Sequence, residues 1–253
     1  MKTGLVLSGG GIRGVAHLGL LKALKELEVE ITMISGTSAG ALAGAFYAAG
    51  MNPDDILEMT MNLSKYKFIN PMLTGGGLLS NKPLLNFIRK NLPVNTFEDL
   101  NLKLVISVTA YKNAKTKYFD KGDLIFPLLA TSSVPVIYKP VEIDGAKYVD
   151  GGIVNNLPVE PLVGECSRII GSLCNPIDDN YDRLSIRAML ERVMLININT
   201  NTYNRRALCD ILLEPPQLKS FRVFDFSKAL EIFNIGYYHT MEKKDEILNK
   251  LSV

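Results

Sequence analysis

Three short stretches hold residue types that could do acyl chemistry. Ser38 stands in Gly36-Thr37-Ser38-Ala39-Gly40, a G-x-S-x-G string. Such a string raises a serine hydroxyl on a tight turn when a strand precedes it and a helix follows. Ser8-Gly9-Gly10-Gly11-Ile12-Arg13-Gly14 is a glycine-rich loop with one basic side chain. Asp150 is followed by Gly151 and Gly152, and it is the acid best placed to act as a base. The chain has only two histidines, His17 and His239.

The glycine loop admits two uses. Gly9, Gly11 and Gly14 fit G-x-G-x-x-G, the dinucleotide fingerprint when it lies between a strand and a helix. That use calls for an acid at the end of the second strand, roughly 20 residues on, to hold the ribose. Here that strand ends in Ser35-Gly36-Thr37-Ser38, and Glu28 and Glu30 come before it. The other use is an oxyanion hole. Amides of Gly9, Gly10 and Gly11, with that of Ala39 after the serine, would stabilise the charge formed when Ser38 attacks a carbonyl. The base is similarly open. The order Ser38, Asp150, His239 matches an α/β-hydrolase triad, but His239 sits in a charged helical tail with no loop to aim it. Asp150 alone is the stronger candidate, although Asp-Gly is also an ordinary turn pair. His17 reads as a helix residue packed near the glycine loop.

These residues need a scaffold that brings strand ends together. Residues 4–8 read as a buried strand, 13–27 as an amphipathic helix, 31–35 as a strand and 39–49 as a helix rich in Ala and Gly. That alternation argues an α/β fold with a parallel sheet covered by helices. Asn52-Pro53-Asp54-Asp55 has the signature of a helix start, with Asn52 as the cap. Further expectations are a strand at 102–110, a short helix at 124–131, a hairpin at 136–149 turning at Asp144-Gly145, a strand at 168–173 and a final helix at about 227–251. The small residues after Ser38 would let their helix lie close against the sheet. Residues 57–79, rich in Leu, Met and Phe and interrupted by Gly75-Gly76-Gly77, fit a mobile cap or acyl-chain wall, or else helix core and a turn. Lys65 and Lys67 there would meet anionic headgroups or simply face water. Residues 172–187 read as a polar loop near the mouth of the site, and Asp178-Asp179 as part of that loop in preference to a cation site.

The composition is that of a globular protein of 253 residues, 47% hydrophobic and 21% charged. A net charge of +2 with no long basic run gives no case for nucleic acid. No apolar stretch reaches membrane-span length, and the N-terminus lacks a signal-peptide pattern. Three cysteines without a C-x-x-C pair suggest reduced thiols and a cytoplasmic location, with peripheral contact with a membrane surface left open.

Taken together, "SGGGIRG", "GTSAG" and "DGG", in this order, resemble the patatin-like phospholipase family, and the flanking "GVAHLGLLKALKE", "ATSSVPVIYKPVEIDGAKYVDGGIVNNLPVEPL" and "FDFSKALEIFNIGYYHTMEK" are similar to its compact bacterial members. Ser8 precedes the glycines here, where some plant and animal members have aspartate. The resemblance implies a single α/β domain over 1–253, a three-layer sandwich whose mainly parallel central sheet is flanked by helices. It implies a serine hydrolase of phospholipid or related ester bonds, with Ser38 as nucleophile and Asp150 as base. Gly9, Gly10, Gly11 and Ala39 would form the oxyanion hole, with Arg13 and Gly14 supporting the loop or Arg13 favouring anionic substrates. Gly36, Gly40, Gly151 and Gly152 would shape the two turns. No cofactor or metal is implied, and the partner is a lipid at a membrane surface. A non-catalytic lipid-binding module on the same scaffold is the alternative, ahead of a dinucleotide oxidoreductase.

Overall fold

The structure is a computed structural model that describes residues 2–62, 79–223 and 225–251. The first half alternates strand and helix. Strand β1 (Thr3–Leu7) leads through a 3-10 turn (Gly11–Val15) into α1 (Ala16–Glu26). Strand β2 (Met33–Gly36) leads through Thr37 and Ser38 into α2 (Ala39–Ala48). Then follow α3 (Pro53–Met61), α4 (Lys82–Asn91), β3 (Lys103–Ala110), β4 (Lys115–Phe119) and α5 (Ile125–Thr131). The hairpin β5 (Val141–Ile143) and β6 (Ala146–Asp150) turns at Asp144 and Gly145, both with positive φ as a tight hairpin turn requires. Beyond it lie β7 (Arg168–Ser172), α6 (Ile186–Arg206), β8 (Ile211–Leu213), α7 (Ala229–Glu242) and α8 (Lys244–Leu251).

The strands form one mixed sheet in the order β5-β6-β3-β2-β1-β7-β8, with β4 also on β3. The run from β3 to β8 is parallel, and the hairpin strands and β4 join antiparallel. A buried strand sends alternate side chains to opposite faces. Leu5, Leu7, Ile34, Leu104 and Ile106 accordingly join the larger core, which also holds Leu21 and Leu24 of α1, Phe46 of α2, Leu128 of α5 and Ile232 of α7. Val6, Met33, Val105 and Ile169 face the other way, onto Leu157, Val159 and Leu162. No described helix is long and apolar enough to cross a membrane.

Two expectations change in detail. The final helix is two, because Lys243 leaves helical geometry (φ −96°, ψ 7°) and its amide bonds to Thr240 O. Asn52 precedes α3 in an extended conformation but makes no side-chain cap; its Oδ1 accepts from Lys25 Nζ at 2.6 Å. Residues 63–78, with Lys65, Lys67 and Gly75–Gly77 of the expected cap, lie outside the described residues.

Candidate active site

The ends of β1, β2, β6 and β7 converge on one place. Ser38 caps α2 with φ 51° and ψ −123°, a conformation that non-glycine residues rarely adopt and that costs about 1–3 kcal/mol. Two contacts hold it there. Its amide donates to Thr131 Oγ1 at 2.9 Å, and that hydroxyl donates in turn to Ser107 O at 2.6 Å. The neighbouring Thr37 hydroxyl donates to Asn155 O at 3.0 Å. Gly40 sits so close to the carbonyls of Leu7 and Ser8 that a side chain there would strike them, which brings the start of α2 against the end of β1. Ala39 opens α2, where an amide has no intrahelical partner.

The glycine loop is set from behind. His17 is fully buried, and its ring bridges Ser8 O (Nε2, 2.8 Å) and Ser172 Oγ (Nδ1, 2.8 Å). A carbonyl only accepts, so Nε2 carries the proton and Nδ1 accepts from the serine. Burial lowers the His17 pKa to about 4, which keeps the ring neutral at neutral pH. The next carbonyl, Gly9 O, receives Asn175 Nδ2 at 2.5 Å, Asn156 Nδ2 at 3.2 Å and Cys174 Sγ at 3.4 Å. A trans peptide points its N–H opposite its C=O. Engaging the Ser8 and Gly9 carbonyls therefore fixes the directions of the Gly9 and Gly10 amides. Among the described residues, the amides of Gly9, Gly10 and Gly11 have no protein acceptor. Gly9 has no room for a side chain, which would meet Asn156 Oδ1 at 2.6 Å and Ser38 Cβ at 3.0 Å.

Asp150 ends β6, paired with Val108 of β3, and its amide donates to Ser133 O at 3.0 Å. Its carboxylate accepts the Gly152 amide at 2.8 Å. Burial raises its pKa from 3.8 to about 6, opposed by weaker hydrogen-bond contributions from the Ser38 side chain and the Gly152 amide. The group is 6% exposed, and burial, which penalises the charged form, is the largest of the three effects.

Ser38, Ala39, Asp150, Gly10, Gly11 and Gly14 line a single cavity of about 230 Å³, together with Gly152, Asn156 and Asn175. The rest of the wall is mainly apolar: Ile12, Val15, Leu42, Phe46, Phe87 and Ile198 among others. Gly36 and Gly151 shape the turns before Ser38 and after Asp150 without lining it. Arg13 does not line it either. Its guanidinium turns to Phe221 O (Nε 2.9 Å, Nη2 2.5 Å) and Lys219 O (Nη2 3.4 Å), tying the loop to residues 216–221. His239 lies on α7, half-buried, and is absent from the cavity wall. No carboxylate stands at the end of β2, where a ribose-binding acid would be; Ser38 holds that place.

The partners that the residue pattern did not reveal are Thr131, Asn156, Asn175 and Ser172. Asn156 carried a signal, since Asn155-Asn156 closely follows Asp150-Gly151-Gly152. Ser172 and Asn175 lie at and just beyond the end of β7, and ligand sites gather at the carboxyl ends of parallel strands.

A mixed α/β sheet thus brings a strained strand-to-helix serine, a buried carboxyl and a glycine loop together. The family model for patatin-like phospholipase matches residues 5–163, and the chain belongs to that family. An uncharacterised NTE family protein of Mycobacterium tuberculosis is 30% identical over 166 residues, covering 64% of this chain and 46% of its own length. Lysophospholipase nte1 of Aspergillus fumigatus is 25% identical over 269 residues, covering 92% of this chain and 18% of its own. The chain thus spans less than half the length of these curated relatives. Among solved structures, VipD from Legionella pneumophila superposes with a TM-score of 0.58 at 16% identity, over 97% of this chain and 67% of its own. ExoU, in its complex with SpcU from the type III secretion system of Pseudomonas aeruginosa, gives 0.51 at 19% identity, over 100% and 52%. These two likenesses concern the fold alone.

The raised pKa has a consequence for stability. A buried acid with a raised pKa is neutral without cost at low pH and destabilises the fold once ionised. Asp150→Asn keeps an acceptor for the Gly152 amide and removes the charge. At pH 7 it is expected to stabilise the protein by about 3 kcal/mol, from a shift of 3.8 to about 6. The gain should shrink as pH falls from about 6 towards 3.8. Urea unfolding across that range checks it, and a loss of stability at pH 7 contradicts it.

Proposed function

We propose that this chain hydrolyses carboxylic esters of phospholipids or related lipids through a Ser38–Asp150 dyad. The observation that carries the proposal is the placement of a strained serine and a buried, high-pKa carboxyl in one apolar cavity. A carboxylate with an ordinary pKa is a weak base at neutral pH; one raised to about 6 takes a proton more readily and is still mostly ionised at pH 7. Family membership and the lysophospholipase name of a relative support lipid as the substrate class.

In the proposed reaction, Asp150 accepts the Ser38 hydroxyl proton while Oγ attacks the ester carbonyl. The amides of Gly10, Gly11 and Ala39, helped by the N-terminal end of α2, receive the oxyanion. Gly9 acts through its carbonyl, which orients the Gly10 amide. Asp150 returns the proton to the departing alcohol, then takes one from the water that attacks the acyl group and passes it to Ser38 Oγ as the acid leaves. The apolar wall would hold the acyl chain. Loss of an oxyanion donor typically costs about 100- to 1000-fold in rate.

The lipid would come from a membrane surface beside α6. This helix sends Leu195 and Ile198 inward, while Ile186, Met189, Val193 and Ile196 stand 49–80% exposed at helical spacing. Met194, Leu195, Asn197 and Ile198 line the cavity, so the exposed stripe runs beside it. An apolar helix face left exposed among the described residues suits the interfacial zone of a bilayer.

With a soluble short-chain ester, Ser38→Ala and Asp150→Asn are expected to lose at least about 1000-fold in kcat/KM, and His239→Ala to stay near wild type. Wild-type kcat/KM should fall below pH about 6 as Asp150 takes up its proton. Loss of activity in folded His239→Ala contradicts the dyad. Separately, Ile186→Glu combined with Val193→Glu should abolish sedimentation with phosphatidylcholine vesicles and leave soluble-ester hydrolysis intact. Unchanged sedimentation removes α6 as the docking face.

A further inference from the structure

A second cavity, of about 270 Å³, shares only Leu195 with the first. Arg13, Arg183, Arg192, Lys219 and Arg222 line it. Among the described residues, no carboxylate oxygen lies within 4.0 Å of a charged nitrogen of any of the five. The wall carries two acids, and both are engaged with backbone amides: Glu191 Oε1 accepts from Val223 N at 2.5 Å, and Asp178 Oδ1 from Asn180 N at 3.1 Å. Arg192 is braced, with Nη1 on Asp178 O at 2.9 Å and its guanidinium over the Tyr181 ring.

Arg13 is the unusual member. It is 3% exposed, and its Nε and Nη2 are used by the carbonyls of Phe221 and Lys219. Its Nη1 is buried and has no acceptor among the described residues. Five basic side chains face two acids in this wall, an excess of positive charge that a bound anion would balance. The guanidinium fork matches the oxygens of a phosphate, and a dianion balances more of the excess positive charge than a carboxylate would.

We propose that this cavity is a binding site for a phosphate-bearing anion, separate from the Ser38 cavity. Its reach is double. Arg13 belongs to the 3-10 turn of the glycine loop, so the anion would brace that loop from the side away from substrate. Arg183, Lys219 and Arg222 are exposed at the rim, open both to a soluble phosphate compound and to a lipid headgroup carrying a terminal phosphate.

Arg183→Gln combined with Arg222→Gln tests the site, because both lie at the exposed rim and outside the proposed catalytic groups. Pyrophosphate titrated calorimetrically into wild type should bind saturably, and the double variant should bind about ten- to a hundredfold more weakly, as expected for losing two charge-assisted bonds. In parallel, phosphatidylcholine vesicles with and without phosphatidic acid are tested by sedimentation. Arginine-dependent binding of pyrophosphate assigns a soluble source. Arginine-dependent binding only to phosphatidic acid vesicles assigns a lipid headgroup. Hydrolysis of a neutral short-chain ester in phosphate-free buffer should be the same in both proteins, which separates failure of this site from failure of the dyad. The proposal is overturned if wild type binds neither probe, or if the folded double variant binds both as wild type does.

Discussion

The proposed oxyanion site depends above all on the orientation of the Gly9–Gly10 peptide plane, with the Ser8–Gly9 plane before it held in the same way. A free glycine loop would sample many directions, and its amides would be poor receptors for a developing charge. Here each carbonyl is engaged: Ser8 O by the buried His17 ring, Gly9 O by Asn156, Asn175 and Cys174. Since the peptide unit is rigid, the amides must face the other way. The oxyanion role proposed for this loop therefore rests on acceptors that never meet the substrate. His17 serves that end because burial keeps it neutral and the Ser8 carbonyl, which only accepts, fixes its proton on Nε2.

The carboxyl side of the proposed dyad follows a different logic. Asp150 is delivered by a strand end and anchored through its own backbone, so its side chain needs few partners. Few partners and deep burial raise its pKa, which suits a base and weakens the fold. Strain at Ser38 has the same character, a local cost sustained by the surrounding core. The larger core, formed where β1, β2 and β3 meet α1, α2 and α5, supplies the offset.

Much of this architecture was legible in the residues. Strands β1, β2 and β3 are short apolar runs bounded by turn residues; α2 begins at Ala39 as its loop predicts, whereas the helix expected from 13 opens as a 3-10 turn and becomes α1 only at Ala16. Asp144-Gly145 announced its hairpin. The large omission was α6. Its second half, Ile196 to Asn204, is rich in Asn, Thr and Ile, all modest helix formers. Asn199, Thr200 and Thr202 bond back to Leu195 O, Ile196 O and Ile198 O, which satisfies the side chains without adding helix stability; the helix holds by packing its inner face, Leu195 and Ile198, against the body of the protein. Strand β8 is only three residues long and takes its register from β7, which no local pattern encodes. At the site, Ser38, Asp150 and the loop glycines could be named from spacing because their local context is a turn. Asn175 and Thr131 act across long sequence separations, so their places came only from the fold. Arg13 was expected to steady the loop or meet substrate; its side chain turns to the 216–221 segment and lines the second cavity.

The central claim is that Ser38 is activated by Asp150 without a histidine. The most direct measurement is the pH dependence of covalent labelling by a fluorophosphonate, followed by intact mass and peptide mapping. The account predicts one adduct, on Ser38, formed at a rate that rises with a midpoint near pH 6 and is lost in Asp150→Asn but kept in His239→Ala. Labelling at another residue, or an unchanged rate in Asp150→Asn, would contradict it.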